Sequence, residues 1–150
     1  MTYQASPRWF IVNCLSAMLH GISWGLLTIS LQWFIDGVLK VTTGDASYSY
    51  AFHMLFLLLV ITVFQKVINS VSNFMVGNFF IYANGYRSKI IFEKLDKIDP
   101  LCFENPAMLN DINKANEGKI RSNMLLNIPM MLVTFYLPYY LFMTIYLYSL

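Results

Sequence analysis

The chain has 150 residues, of which 57% are hydrophobic, 17% aromatic and 12% charged, with a net charge of +2. A soluble domain carries about twice that charged fraction, and ten Lys and Arg with eight Asp and Glu cannot cover the surface of one. This balance excludes a soluble globular domain, a disordered chain and a nucleic-acid binder; it leaves a membrane protein with one polar segment, because thirteen of the eighteen charges fall between Arg87 and Arg121.

A helix needs roughly 20 apolar residues to cross about 30 Å of hydrocarbon. The first predicted span covers about residues 9–39, with Ser6 as N-cap and Pro7 at the first helical position, where its missing N–H costs nothing. The stretch exceeds the 7–15 residues or so of a signal h-region and shows no small-residue cleavage site, so it reads as a span. Its weak polar face is Asn13, Ser16, His20 and Ser23. His20 is either a bonded packing residue or a pathway-lining group, since ionisable residues inside a membrane favour function. Ala17, Gly21 and Gly25 recur every four residues, which predicts close helix packing. Asp36 falls near the outer interface.

The second span is predicted over about residues 49–85, within one helix from Ser49 to Ile98 that only Gly77 and Gly85 interrupt. About 50 residues make roughly 75 Å of helix, so some 40 Å should project beyond the bilayer. Glu93 and Lys97 stand four apart in the favourable order for pairing. Asp99-Pro100 should end the helix, because a residue before Pro avoids the helical region. At 100° per residue, Gln65, Lys66, Asn69, Asn73, Gly77 and Asn84 fall within about 60° of one line. A lipid-facing Lys costs roughly 2.5–3.5 kcal/mol at mid-membrane. The stripe should therefore face protein or a water-filled cavity, as a substrate pathway or as interhelical hydrogen bonding. Gln65, Lys66, Asn69, Asn73 and His20 are the pathway candidates.

A second helix start follows at once, with Asn105 as N-cap and Pro106 as first helical residue. This arm should continue into a third span over about residues 124–150, weakened at Gly118 and bent at Pro129 and Pro138. The two arms, about residues 86–123, make a charged hairpin with apolar Leu101, Cys102 and Phe103 at its tip. An apolar tip on charged arms suggests docking. The connection carries seven basic residues against one in the first loop, Lys40, so the hairpin and the N-terminus are placed in the cytoplasm. Tyr136, Tyr139 and Tyr140 read as packing around Pro138.

Three segments carry a family resemblance: Tyr86-Arg87-Ser88, Lys94 through Ile98, and Phe103-Glu104-Asn105-Pro106-Ala107-Met108-Leu109-Asn110-Asp111. They resemble the transmembrane domain of a type 1 ABC exporter, which has six spans per half. Ala107 and Met108 stand where that pattern tends to have Glu and an aromatic residue; Ala115 and Gly118 fall where it has small residues. The resemblance implies an all-α membrane protein holding three of the six spans, multi-pass in the plasma membrane. It implies that the hairpin tip, about residues 100–105, is a coupling helix. Leu101, Phe103, Glu104 and Asn105 would then contact a nucleotide-binding domain. The implied partners are the lipid bilayer, that domain, and a second transmembrane half in a homo- or heterodimer.

No phosphate loop of the form G-x-x-x-x-G-K-S/T occurs in these residues, nor an acidic Mg-binding strand end or an ABC signature. ATP and Mg would belong to the nucleotide-binding domain, and no catalytic residue, cofactor or metal site is expected in this chain. Cys14 and Cys102 should not meet, and His20 and His53 lie on different spans. The chain thus reads as the N-terminal part of an exporter: a fragment, a truncated reading frame or a split gene product. The amide and aromatic content of the spans suggests a large amphipathic substrate such as a peptide. The alternative is a three-span accessory or immunity protein that binds a partner through its hairpin. A membrane enzyme is disfavoured for want of a reactive constellation.

Overall fold

The computed structural model describes residues 6–149; Leu150, the expected end of the third span, lies outside them. Among the described residues all regular structure is helical. The elements are α1 (Pro7–Thr42), α2 (Tyr48–Leu95), a 3₁₀ turn (Pro100–Glu104), α3 (Pro106–Met131), a π-helical turn (Leu132–Tyr136) and α4 (Leu137–Tyr148). α3, the π turn and α4 run on as one rod. Three helices, Pro7–Thr42, Tyr48–Leu95 and Pro106–Tyr148, are long and apolar enough to cross a membrane.

Local chemistry sets the helix ends. Pro7 begins α1 behind Ser6, whose side chain makes no capping bond; the Ser6 carbonyl accepts from the Phe10 N–H at 3.1 Å instead. α1 ends at Thr43 and Gly44, where Gly44 takes φ +86. This left-handed residue lets the Asp45 and Ala46 N–H groups turn back onto the Lys40 carbonyl, at 2.8 and 3.1 Å. α2 is unbroken at Gly77 and Gly85 and spans 48 residues, about 72 Å. It stops at Leu95, three residues short of the expected Ile98. The exit tightens there: the Lys97 and Ile98 N–H groups reach back three residues, to Lys94 and Leu95. Asp99 is then extended before Pro100, at φ -57 and ψ 129.

The expected Glu93–Lys97 pair does not form, because Lys97 lies past the helix end. Glu93 pairs with Lys89 at 3.7 Å, and Asp111–Lys114 and Glu117–Arg121 bridge at 3.7 and 3.6 Å. All six side chains are exposed, so these pairs add little stability. α3 is continuous through Gly118.

α1 occupies the centre. α2 lies antiparallel along it: Trp9 stacks on Tyr82 at 5.6 Å, Phe10 meets Phe79 at 5.8 Å, and Gly37 faces Met54 and Tyr50 near the other end. The third rod runs parallel to α1, with Gly21 against Phe135 and Gly25 against Phe142. α1 itself is about 54 Å long, so it accompanies much of α2. Ala83–Leu95 of α2 extends beyond the start of α1, by about 20 Å. The projecting arms meet where the Lys119 Nζ donates to the Ser88 Oγ at 3.1 Å.

The irregularity in the third rod lies between Pro129 and Pro138. Pro138 has no N–H, and its ring would clash with the carbonyl four residues back. The turn widens ahead of it: the Leu137 N–H bonds five residues back, to the Leu132 carbonyl.

Candidate functional site

Burial in this molecule is inverted. Among the described residues the buried side chains are mainly polar: Asn13, Ser23, Ser30, Gln65, Ser72 and Thr134, against apolar Ile29, Phe79 and Ala83. The outer surface is the reverse: Leu19, Phe56, Phe74, Ile81, Leu125 and Ile145 are all more than half exposed. Packing small and polar residues inside and apolar ones outside is how helices associate in lipid. The hydroxyls satisfy themselves on their own helix. Ser23 donates to the His20 carbonyl at 2.7 Å, Ser30 to Leu27 at 2.8 Å and Thr134 to Met130 at 2.7 Å.

The buried face of α2 carries Gln65, Ser72, Phe79 and Ala83. The polar stripe sits at the edge of this seam, rotated from it by about 80°. The structure therefore divides the pathway candidates. Gln65 is 1% exposed, and neither of its amide atoms has a partner. Asn69 is half-buried, and Lys66 and Asn73 are exposed. Asn73 donates to the Asn69 Oδ1 at 3.4 Å. An amide buried without partners costs about 1–3 kcal/mol. Gln65→Leu is accordingly expected to raise the thermal midpoint of the purified protein in detergent; a fall would show that the amide is bonded.

Two adjoining cavities open between α1, α2 and the third rod. One, of about 370 Å³, is apolar and lined by Phe10, Cys14, Phe79, Pro129 and Val133 among others. The second, of about 240 Å³, is rimmed by Asn13, His20, Ser72, Asn73, Asn127 and Thr134. Asn127 and Thr134 also border the first. Of the predicted pathway residues, His20 and Asn73 line this second cavity; Gln65, Lys66 and Asn69 do not. Sequence reasoning missed Ser72 and Asn127. Ser72 lies off the polar stripe on the seam face, and Asn127 is a single amide within the predicted third span.

His20 is also fixed structurally. Its Nε2 accepts from the Trp24 Nε1–H at 3.0 Å, and its ring lies 4.9 Å from that of Phe135. The neutral ring therefore carries its proton on Nδ1. The small-residue repeat packs as expected. A Cβ on Gly21 would collide with the Phe135 carbonyl oxygen, and one on Gly25 with the Phe142 ring. Tyr136 stacks on Tyr140 at 6.4 Å, and Tyr139 meets Tyr140 edge-on at 5.2 Å.

The hairpin tip is built by two caps. The Asp99 carboxylate accepts from the Leu101 N–H at 3.0 Å and the Asn105 Oδ1 from the Ala107 N–H at 2.9 Å. Between them the 3₁₀ turn presents Leu101, 72% exposed, and Phe103, 37% exposed. Leu101 is thus free to contact a partner, whereas much of the Phe103 ring is covered. Glu104, Asn105 and Cys102 are exposed, and Cys102 is a free thiol. Asn105→Ala should cost about 1 kcal/mol and speed amide exchange at Ala107 roughly fivefold. Unchanged exchange would mean that the cap does not hold the tip.

The chain matches no family model, no curated protein and no solved structure. Its functional reading therefore rests on its own geometry: an inside-out bundle with a polar-rimmed cavity, joined by continuous helices to a capped apolar tip.

Proposed function

We propose that this chain is the N-terminal part of the transmembrane domain of an ATP-driven ABC exporter. It crosses the plasma membrane three times from a cytoplasmic N-terminus. The observation that carries the membrane reading is the inverted burial: enclosed Gln65, Asn13, Ser23 and Ser30 against an apolar exterior. The seven basic residues of the hairpin connection give the orientation. The exporter assignment is supported by the Phe103-Glu104-Asn105-Pro106 segment at the tip of a helical hairpin. In this reading the remaining spans and the nucleotide-binding domain, which binds ATP and Mg, lie outside these residues. A second transmembrane half completes the pathway, and the chain itself is not an enzyme.

The geometry offers a simple mechanism. A nucleotide-binding domain that moves against Leu101, Phe103, Glu104 and Asn105 displaces the tip. α2 is one unbroken helix of 48 residues, so it carries that displacement to Lys66, Asn69 and Asn73 as a rod. The third rod carries it to the π turn at Leu132–Tyr136, a helix irregularity of the kind that marks functional sites. There the movement reaches the cavity shared by His20, Asn73 and Thr134. Access to the pathway then changes side as the arms open and close.

A photo-crosslinking residue at position 101, with one at the exposed arm position 116 as control, tests the proposal in cells. The expected product at 101 is an adduct with an ATPase domain that contains a phosphate loop. An adduct only with a protein lacking that motif would instead favour the accessory or immunity protein.

A further inference from the structure

The middle of the bundle contains one Lys, Lys66, and no carboxylate. No Asp or Glu occurs between Asp45 and Glu93, before Asp36 or after Glu117. Within that acid-free zone the charged side chains are Lys66 and, at its lower edge, Arg8, Arg87 and Lys89 with Lys119 and Arg121. The helix register places Lys66 level with Trp24 and Gly25, since Gly37 faces Met54 and Phe10 meets Phe79. The nearest carboxylate by register, Asp36, lies some 18 Å along α1. Lys66 is exposed, and Asn69 and Asn73 follow it on the same face of α2. Asn73 borders the polar-rimmed cavity with His20 and Asn127. The face thus offers an ammonium and amide donors, with no acid to attract a cation.

We propose that Lys66, with Asn69 and Asn73, receives the anionic group of an amphipathic substrate, a carboxylate, sulfonate or phosphate, while its apolar part lies along the cavities. This rests on the pathway reading above and narrows its substrate class. A lone cation near mid-membrane needs a counter-charge, and the chain supplies none at this level. A lipid headgroup is the poorer source: Lys66 lies about 27 Å along α2 from Tyr48 and about 24 Å from Tyr82, far from either end.

Thiol modification at Asn73→Cys in the full chain tests this, in vesicles and with Cys14 and Cys102 replaced by Ser. The probes are 2-sulfonatoethyl and 2-trimethylammonioethyl methanethiosulfonate, which differ in charge sign. The native Cys102, at the exposed tip, gives the reference rate ratio in a separate preparation. Relative to that reference, the anionic reagent should be favoured about tenfold at position 73, as a local positive field predicts. Lys66→Gln should abolish the preference and Lys66→Arg keep it. A preference that survives Lys66→Gln overturns the proposal. So does the absence of any preference, the outcome expected if a carboxylate of the second transmembrane half neutralises Lys66. The ratio should be equal in phosphatidylcholine and phosphatidylglycerol vesicles; collapse in the latter alone would assign the anion to a lipid headgroup and overturn the substrate assignment. If neither reagent reacts at all, the aqueous pathway itself fails, a result distinct from reaction without charge preference.

Discussion

Under the proposed exporter function, Phe103→Ala is expected to abolish coupled transport while ATP hydrolysis continues. Truncating an apolar anchor at the centre of a small contact costs about 2 kcal/mol or more, roughly a 30-fold loss of docking. Leu101 and Phe103 should differ in how they cause that loss. Leu101 stands 72% exposed and Phe103 37%. Leu101→Ala should lower transport without changing the thermal stability of the hairpin. Phe103→Ala should lower both, because much of Phe103 is covered. Substrate-stimulated ATPase activity and uptake into inverted vesicles, measured on the same preparation, separate the cases. Wild-type uptake in both variants would remove the tip from the coupling path.

Gly21→Ala is expected to be the most damaging small substitution in the bundle. The added methyl meets backbone, the Phe135 carbonyl oxygen, and lies 3.3 Å from its carbon. That carbonyl belongs to the π turn that Pro138 requires, so it has little room to withdraw. The two rods must separate, at a cost of about 1–3 kcal/mol typical of overpacking. Gly25→Ala meets the side-chain ring of Phe142, which can rotate, and should cost less. Gly118→Ala meets open space in a helix interior and should stabilise by roughly 0.5–1 kcal/mol. Thermal midpoints in detergent should therefore rank Gly118→Ala above the parent, then Gly25→Ala, then Gly21→Ala. If Gly21→Ala matched the parent, the close contact between α1 and the π turn would be refuted.

What the sequence made legible was local. Pro7, Asp99-Pro100 and Asn105-Pro106 define their own helix ends, because a missing N–H and a capping amide act within one turn. The small-residue repeat of α1 was legible too, since only close packing rewards Gly every fourth residue. The end of α2 was harder to place. No Gly marks it, and the three residues before Asp99 are spent tightening the chain for its extended geometry. The π turn depends on Pro138 together with the contact to Gly21, a pairing more than 100 residues apart. The seam of α2 was obscured because Gln65, Ser72 and Phe79 mix polar and apolar types at seven-residue spacing. Selecting amides alone found the neighbouring stripe, which is why Lys66 and Asn73 emerge exposed and Ser72 was passed over.

In the proposed topology the chain crosses the membrane three times, with the hairpin tip and the first loop on opposite sides. An impermeant maleimide tests it in a Cys14→Ser background, with native Cys102 reporting the tip and, in a second variant with Cys102→Ser, Ser47→Cys reporting the loop. Cys102 should react only in inverted vesicles and the Ser47→Cys thiol only in right-side-out ones. Labelling of both from the same side, or of Cys102 from the outer face, would contradict the account.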